Sequence, residues 1–204
     1  MTLATDWIPF GRGVRVVASH ECGLIAVEKP DGILSHPNPG EVAEKGTILI
    51  TGNYSLDEEA FHVRDGKGGI RRVYLLNRLD SPTSGTLLLS LDEGVADLVR
   101  KMFARSQVMK RYVALIRGRG LRTPRGTWQD QMAKTKGPGG GVRSETGAGA
   151  PAVTVYAWQR SAGGSLPLSL IQLDPRTGRT HQLRVQSSAH GHPILGDRTY
   201  GDFE

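Results

Sequence analysis

The sequence predicts an α+β protein with a mixed, largely antiparallel central sheet flanked by helices. Three observations point there. Short apolar runs bounded by turn residues recur along the chain. One segment, after Asp92, carries the apolar stripe of a helix lying on a sheet. Strands and helices alternate without the regular βαβ order of a parallel sheet. The 204 residues suit one domain, or one domain built from two halves, and a single domain over 1–204 is expected.

The elements follow in order. Val14 to Ala18 and Leu24 to Val27 read as short strands around a turn at Ser19 to Gly23. Lys29 to Gly40 holds too many prolines and glycines for a regular element and reads as a rigid loop. Leu56 to Val63 is expected to form a brief helix, with a loop at Asp65 to Gly69. Val73 to Leu76 and Thr86 to Leu91 are strand-like and flank Asn77 to Gly85, which is dense in turn residues. Asp92 is the expected N-cap of a helix with its apolar stripe at Val95, Leu98, Val99, Met102 and Phe103, leaving Arg100, Lys101 and Arg105 on the opposite face. Val108 to Ile116 reads as a strand. Gly137 to Pro151 holds six glycines and two prolines in 15 residues and reads as a mobile loop, because strand-like runs resume at Val153 to Trp158 and Leu168 to Leu173.

Charge is unevenly placed. Residues 1–60 hold nine acids and four bases, a local −5, so the remaining 144 residues hold +11 of the net +6. Arg100 to Arg125 contains nine basic residues and no acid. A one-signed block of this kind attracts a polyanion, since neutralised phosphates release counterions; a solvated surface is the plainer alternative. Cys22 is the only cysteine, which excludes an internal disulfide and a cysteine-based zinc site and suits a reduced, cytoplasmic setting. No apolar run approaches the roughly 18 residues that cross a bilayer, so no membrane partner is expected. Met1 to Gly13 lacks the basic start and apolar stretch of a secretory signal.

Three motifs carry chemistry. Asp80, at the edge of an apolar strand within Arg78 to Gly85, can present a carboxylate as nucleophile or base, or simply cap backbone N–H groups in a turn. Arg179, in Thr177 to Gln182, can hold a carboxylate ionised, or belong to a helix cap that anchors a surface. Lys110 and Tyr112 share one face if both lie on a strand, which suits an aromatic stacked on an unpaired base beside a phosphate contact; a core tyrosine with a snorkelling lysine fits equally. No glycine pattern makes a nucleotide loop, and His181, His190 and His192 lack the companions of a metal site.

In this order the three motifs resemble the RluA-type family of pseudouridine synthases. Val27 to Pro37 resembles the family's Asn-Lys-Pro opening segment, and Asn77 to Gly85 its His-Arg-Leu-Asp loop. Val108 to Gly118 resembles its Lys-x-Tyr strand, and Thr177 to Gly201 its Thr-Gly-Arg-Thr-His-Gln block with the following Gly-His-Pro-Ile. The resemblance spans about residue 14 to residue 201. It implies an RNA pseudouridine synthase acting on specific uridines in ribosomal or transfer RNA, with no cofactor and no metal. By the same resemblance Asp80 is the catalytic aspartate, Arg179 its ion-pair partner, and Tyr112 the aromatic that packs on the target base. Arg78 fills the gap left by a flipped nucleotide, and Lys110, Thr83, Gly85, His181 and Gln182 complete the substrate site. Lys29 and Pro30 match a segment read as structural. No separate N-terminal RNA-binding module is expected, and a monomer is.

Asn77 departs from the family's histidine, and Gln186 to Ser188 departs from its usual run. The sequence ends three residues after Gly201, where family members continue with a further strand or two. A non-catalytic RNA-binding protein is disfavoured by the intact Asp80, Tyr112 and Arg179. A glycosidase is disfavoured by the lack of an obvious second carboxylate.

Overall fold

Alternation along Leu24–Lys29 sets the first sheet. Successive strand residues face opposite ways, so Ile25, Val27 and Lys29 all point to the buried side. This strand, β2, pairs antiparallel with β1 (Arg15–Ser19) across the expected turn, where Gly23 adopts φ +94°. The computed structural model describes residues 3–37, 46–118, 121, 123–136, 142–162 and 167–201. It divides the chain into two compact units, Met1–Gln107 and Val108–Glu204.

In the first unit, β3 (Asn53–Ser55), β4 (Ala60–Arg64), β5 (Ile70–Leu75) and β6 (Gly85–Ser90) complete a six-stranded antiparallel sheet of order β1-β2-β6-β5-β4-β3. One face joins Ile25, Val27, Phe61, Val63, Val73, Leu87 and Leu89 to Ile48, Leu49 and Ile50 in a core. The other face packs Ala60, Tyr74 and Leu76 on α1 (Glu93–Ala104). Asp92 caps that helix as expected: its Oδ1 accepts the Val95 N–H at 2.8 Å. Glu93 in the first turn and Lys101 in the last both complement the helix dipole.

Two expectations for this unit are corrected. The buried stripe of α1 runs through Ala96, Val99 and Phe103, while Leu98 is 59% exposed. Arg100 is not on a free basic face, because its guanidinium donates to the carbonyls of Glu58, Glu59 and Leu75. Leu56 to Val63 is not a helix. Glu59 turns left-handed at φ 48°, and the next residues form β4, whose Phe61 and Val63 face the core opposite Val73 and Arg71 of β5.

The second unit holds β7 (Tyr112–Arg117), β8 (Arg125–Lys136), β9 (Val142–Thr146), β10 (Ala150–Ala162) and β11 (Leu168–Pro175). They form an antiparallel sheet of order β7-β11-β10-β8-β9. Trp128, Met132, Ala152, Ile116, Ile171 and Leu173 line the face on which α2 (Gln182–Ala189) lies. Part of the glycine-rich stretch is therefore strand. Val142–Thr146 pairs with β8, and Gly147 and Gly149, at φ +124° and +107°, turn the chain into β10. Residues 137–141 of the expected loop lie outside the described residues. The third strand-like motif also shifts: β7 begins at Tyr112, so Lys110 precedes the strand and shares no strand face with it. Among the described residues, two antiparallel sheets with two helices make the α+β class the sequence predicted.

Candidate active site

Asp80 sits in the connection between β5 and β6, and the backbone on both sides of it is pinned by one segment, Lys29 to Ser35. Lys29 occupies an inward position of β2 and is fully buried. Its ammonium has three N–H donors, and all three reach carbonyls: Pro30 at 2.9 Å, Ile33 at 2.7 Å and Ser81 at 3.1 Å. The Gly32 N–H donates to the same Ser81 oxygen at 2.8 Å. On the other side of Asp80, the Ser35 hydroxyl donates to the Leu79 carbonyl at 2.7 Å and accepts the Leu79 N–H at 3.1 Å.

Burial pulls the Lys29 pKa down to about 8, against the opposing pull of the Asp31 and Asp80 carboxylates. Asp80 itself is half-buried. Its carbonyl accepts the Thr83 N–H at 3.0 Å, closing a turn, and Gly85 leaves that turn at φ +137°, where a side chain would be strained. Asn77, which stands where the resembling family has histidine, has its Oδ1 accepting the Leu88 N–H at 2.8 Å and so ties the loop to β6. Arg78 is exposed, with Nη1 3.3 Å from Nε2 of His36.

The second unit carries the remaining candidates. Tyr112 opens β7 opposite Leu173 of β11. Lys110 donates from Nζ to the Thr177 carbonyl at 3.0 Å, and burial lowers its pKa. Gln182 is buried at the start of α2 and ties the Thr177 to Arg179 loop to β10. Its Oε1 accepts from the Thr177 hydroxyl at 2.7 Å and from the Arg179 N–H at 3.0 Å. Its Nε2 donates to the Val153 carbonyl at 3.1 Å and to the Thr154 hydroxyl at 2.9 Å. Arg179 is exposed and donates from Nε to the Pro151 carbonyl at 2.9 Å. His181 holds a left-handed conformation at φ 54°, with Nδ1 2.8 Å from the Tyr200 hydroxyl, which also accepts the Ser144 N–H at 2.9 Å.

The structure thus gathers Arg78, Asp80, Thr83 and Gly85 in one loop of the first unit. Lys110, Tyr112, Arg179, His181 and Gln182 belong to the second. Residue reasoning missed Ser35, His36 and Tyr200. Lys29 alone left a signal, as a lysine in the inward phase of an apolar strand. Among the described residues no group of three or more His, Cys, Asp or Glu stands ready to hold a metal ion, and no helix is long and apolar enough to cross a membrane.

A family model described as RNA pseudouridylate synthase matches residues 23–189, a span that takes in both the Asp80 loop and the Arg179 loop. The chain belongs to that family. Among its pseudouridine synthase relatives, the tRNA pseudouridine synthase C of Pectobacterium carotovorum is 36% identical over 189 residues, covering 88% of this chain and 46% of the relative. The protein of the same name from Yersinia pestis is 34% identical, covering 88% and 67%. An uncharacterized RNA pseudouridine synthase of Bacillus subtilis, YhcT, is 31% identical, covering 87% and 55%. The chain therefore spans roughly half to two thirds of the length of these relatives. The solved structure of the human RNA pseudouridylate synthase domain-containing protein 4 matches with a TM-score of 0.62 at 24% identity, over 91% of this chain and 69% of that one, and so shares the pseudouridylate synthase fold.

Proposed function

We propose that this family member is an RNA pseudouridine synthase that isomerises specific uridines, with Asp80 as its catalytic residue. The observation that carries the reading is the clamp on Asp80: Lys29 and Ser35 fix the peptide units on both sides of one half-buried carboxylate. A carboxylate held that way costs little to orient when a reacting sugar arrives. In the reaction the bond from uracil N1 to ribose C1′ breaks, a bond from C5 to C1′ forms, and a proton leaves C5 while N1 gains one. Product and substrate are isomers, so the balance calls for no cofactor. Asp80 drives the cleavage as nucleophile or as base.

By their motifs, Tyr112 packs on the target base and Arg179 is the ion-pair partner of the aspartate. Arg78 fills the place of the extruded nucleotide, whose unstacking costs a few kcal/mol. Lys110, Thr83, Gly85, His181 and Gln182 serve this site by holding its loops and meeting the RNA. The relatives named tRNA pseudouridine synthase C make transfer RNA the first substrate to assay, with ribosomal RNA as the alternative. The proposed setting is cytoplasmic and the proposed active form a monomer.

The test is tritium release from RNA labelled at uracil C5. Wild-type protein is expected to release tritium, and Asp80→Asn to bind the same RNA while losing release by at least about 1,000-fold, the scale on which loss of a nucleophile or base reads out. Full release by Asp80→Asn would end the assignment. Arg179→Ala is expected to lose most activity as well. Exchanging the two charges, Asp80→Arg with Arg179→Asp, would restore none of it, because the aspartate does chemistry and is not merely paired.

A further inference from the structure

We infer that His36 is a positioning residue for Arg78, holding the arginine aimed for insertion into RNA before any RNA is bound. The inference rests on the reading of Arg78 as the side chain that replaces a flipped nucleotide. Arg78 is exposed and its long side chain has many rotamers, so an unsupported arginine would enter a duplex from many directions. The structure supplies a support from outside the catalytic loop. His36 Nε2 lies 3.3 Å from Arg78 Nη1, and His36 Nδ1 lies 2.8 Å from the Pro37 carbonyl.

These two contacts assign the ring's protons. A carbonyl only accepts, so Nδ1 carries the hydrogen and donates it to Pro37. A guanidinium only donates, so Nε2 presents its lone pair to Arg78. The neutral tautomer satisfies both partners at once. The ring is itself held, stacked on Tyr54 with centroids 5.0 Å apart and planes 11° apart, and Tyr54 in turn packs on the fully buried Phe61 at 4.8 Å. A column thus runs from the sheet core through Phe61, Tyr54 and His36 to the Arg78 guanidinium. His36 lies one residue from Ser35, whose hydroxyl pins Leu79, so a single segment sets both the aspartate's backbone and the arginine's direction.

Pre-aiming matters only where a nucleotide has to be displaced from a stack. The experiment therefore uses one transcript that wild-type protein modifies, tritiated at uracil C5, in two versions: target uridine paired in its stem, and target uridine unpaired because the opposing nucleotides are replaced. Three variants separate the parts of the column. His36→Phe keeps a ring to stack on Tyr54 and removes the acceptor. His36→Gln keeps an acceptor and removes the ring. Arg78→Ala removes the arginine. The reading is the ratio of kcat/KM on unpaired RNA to kcat/KM on paired RNA, which a misfolded fraction of any preparation leaves unmoved.

The ratio is expected to rise on the order of tenfold for His36→Phe, as for loss of one hydrogen bond to a charged group. His36→Gln should recover most of that, and His36→Phe combined with Arg78→Ala should be no worse than Arg78→Ala alone. A wild-type ratio in His36→Phe, or a double variant whose losses multiply, would overturn the role of His36 while leaving the isomerase reading intact. Failure of the wild-type protein to release tritium from any transfer or ribosomal RNA transcript would instead overturn the isomerase reading, and this inference with it.

Discussion

Lys29 sits where the alternation of β2 calls for an aliphatic side chain, and the fold accepts the cost of burying it. Its three N–H groups meet three carbonyls, two in its own loop and one next to Asp80, so the loop takes its shape around the ammonium. A methionine of similar length would leave those carbonyls short of a donor. Lys29→Met is therefore expected to destabilise the first unit by about 2–4 kcal/mol in urea unfolding, the penalty for buried acceptors left unsatisfied, and to slow turnover because the Ser81 peptide is then held by the Gly32 N–H alone. The pH dependence has a definite sign. The folded pKa of about 8 lies below the ordinary 10.5, so between these values the unfolded chain binds more protons than the folded one. Stability from this residue consequently rises with pH across that window and is level below it. The difference in unfolding free energy between wild type and Lys29→Met should grow in favour of wild type from pH 8 to pH 10; a constant difference would show that Lys29 is not desolvated.

At the scale of elements, what was legible in the sequence depended on how local the deciding interaction is. The N-cap of α1 was legible because Asp92 and Val95 are three residues apart. The β1–β2 hairpin was legible for the same reason. The segment 56–63 was misread because its helix-like polarity is overruled by pairing with β5 and by the left-handed turn at Glu59, neither of which has a local signature. The glycines around β9 signalled turns correctly, but the strand between them is specified by its partner, β8. The motifs around Asp80 and Arg179 were recognisable through resemblance, whereas the hydrogen bonds of Ser35 and His36 reach residues more than 40 positions away, which no local pattern announces. The clamp between α2 and the 193–201 segment is of the same long-range kind. Arg184 donates to both Asp197 oxygens, at 2.7 and 2.9 Å, in a buried setting. Burial alone would raise the Asp197 pKa; the Arg184 guanidinium and the N–H groups of Thr199 and Tyr200 outweigh it and hold it low. Asp197→Ala leaves a buried guanidinium unpaired and is expected to cost about 3–5 kcal/mol. Because the folded carboxyl is the stronger acid, the wild-type contribution disappears as pH falls below the ordinary 3.8, and acid unfolding of Asp197→Asn should lack that step.

For the whole molecule, the uneven charge divides into cations already held by the protein and cations exposed to solvent. The block from Arg100 to Arg125 reads as one surface, yet its members differ in what already holds them. Arg100 is half-buried against three backbone carbonyls and the Glu59 carboxylate, and Arg111 is paired with Asp174. Lys101 and Arg105 lie exposed on and just beyond the last turn of α1. If this face meets RNA phosphates, affinity falls with salt, and each cation that releases a counterion adds about 0.7–0.9 to the slope of log affinity against log salt. Lys101→Ala and Arg105→Ala are each expected to reduce that slope by about this amount while leaving the unfolding midpoint in place. Arg100→Ala is expected to do the reverse, lowering stability by about 2 kcal/mol through the carbonyls it strands and leaving the slope as it was. Filter binding of transfer RNA from about 50 to 200 mM salt, the range over which phosphate contacts change affinity most visibly, measures both. A slope that responds to Arg100→Ala and ignores Lys101→Ala and Arg105→Ala would place the RNA on another face.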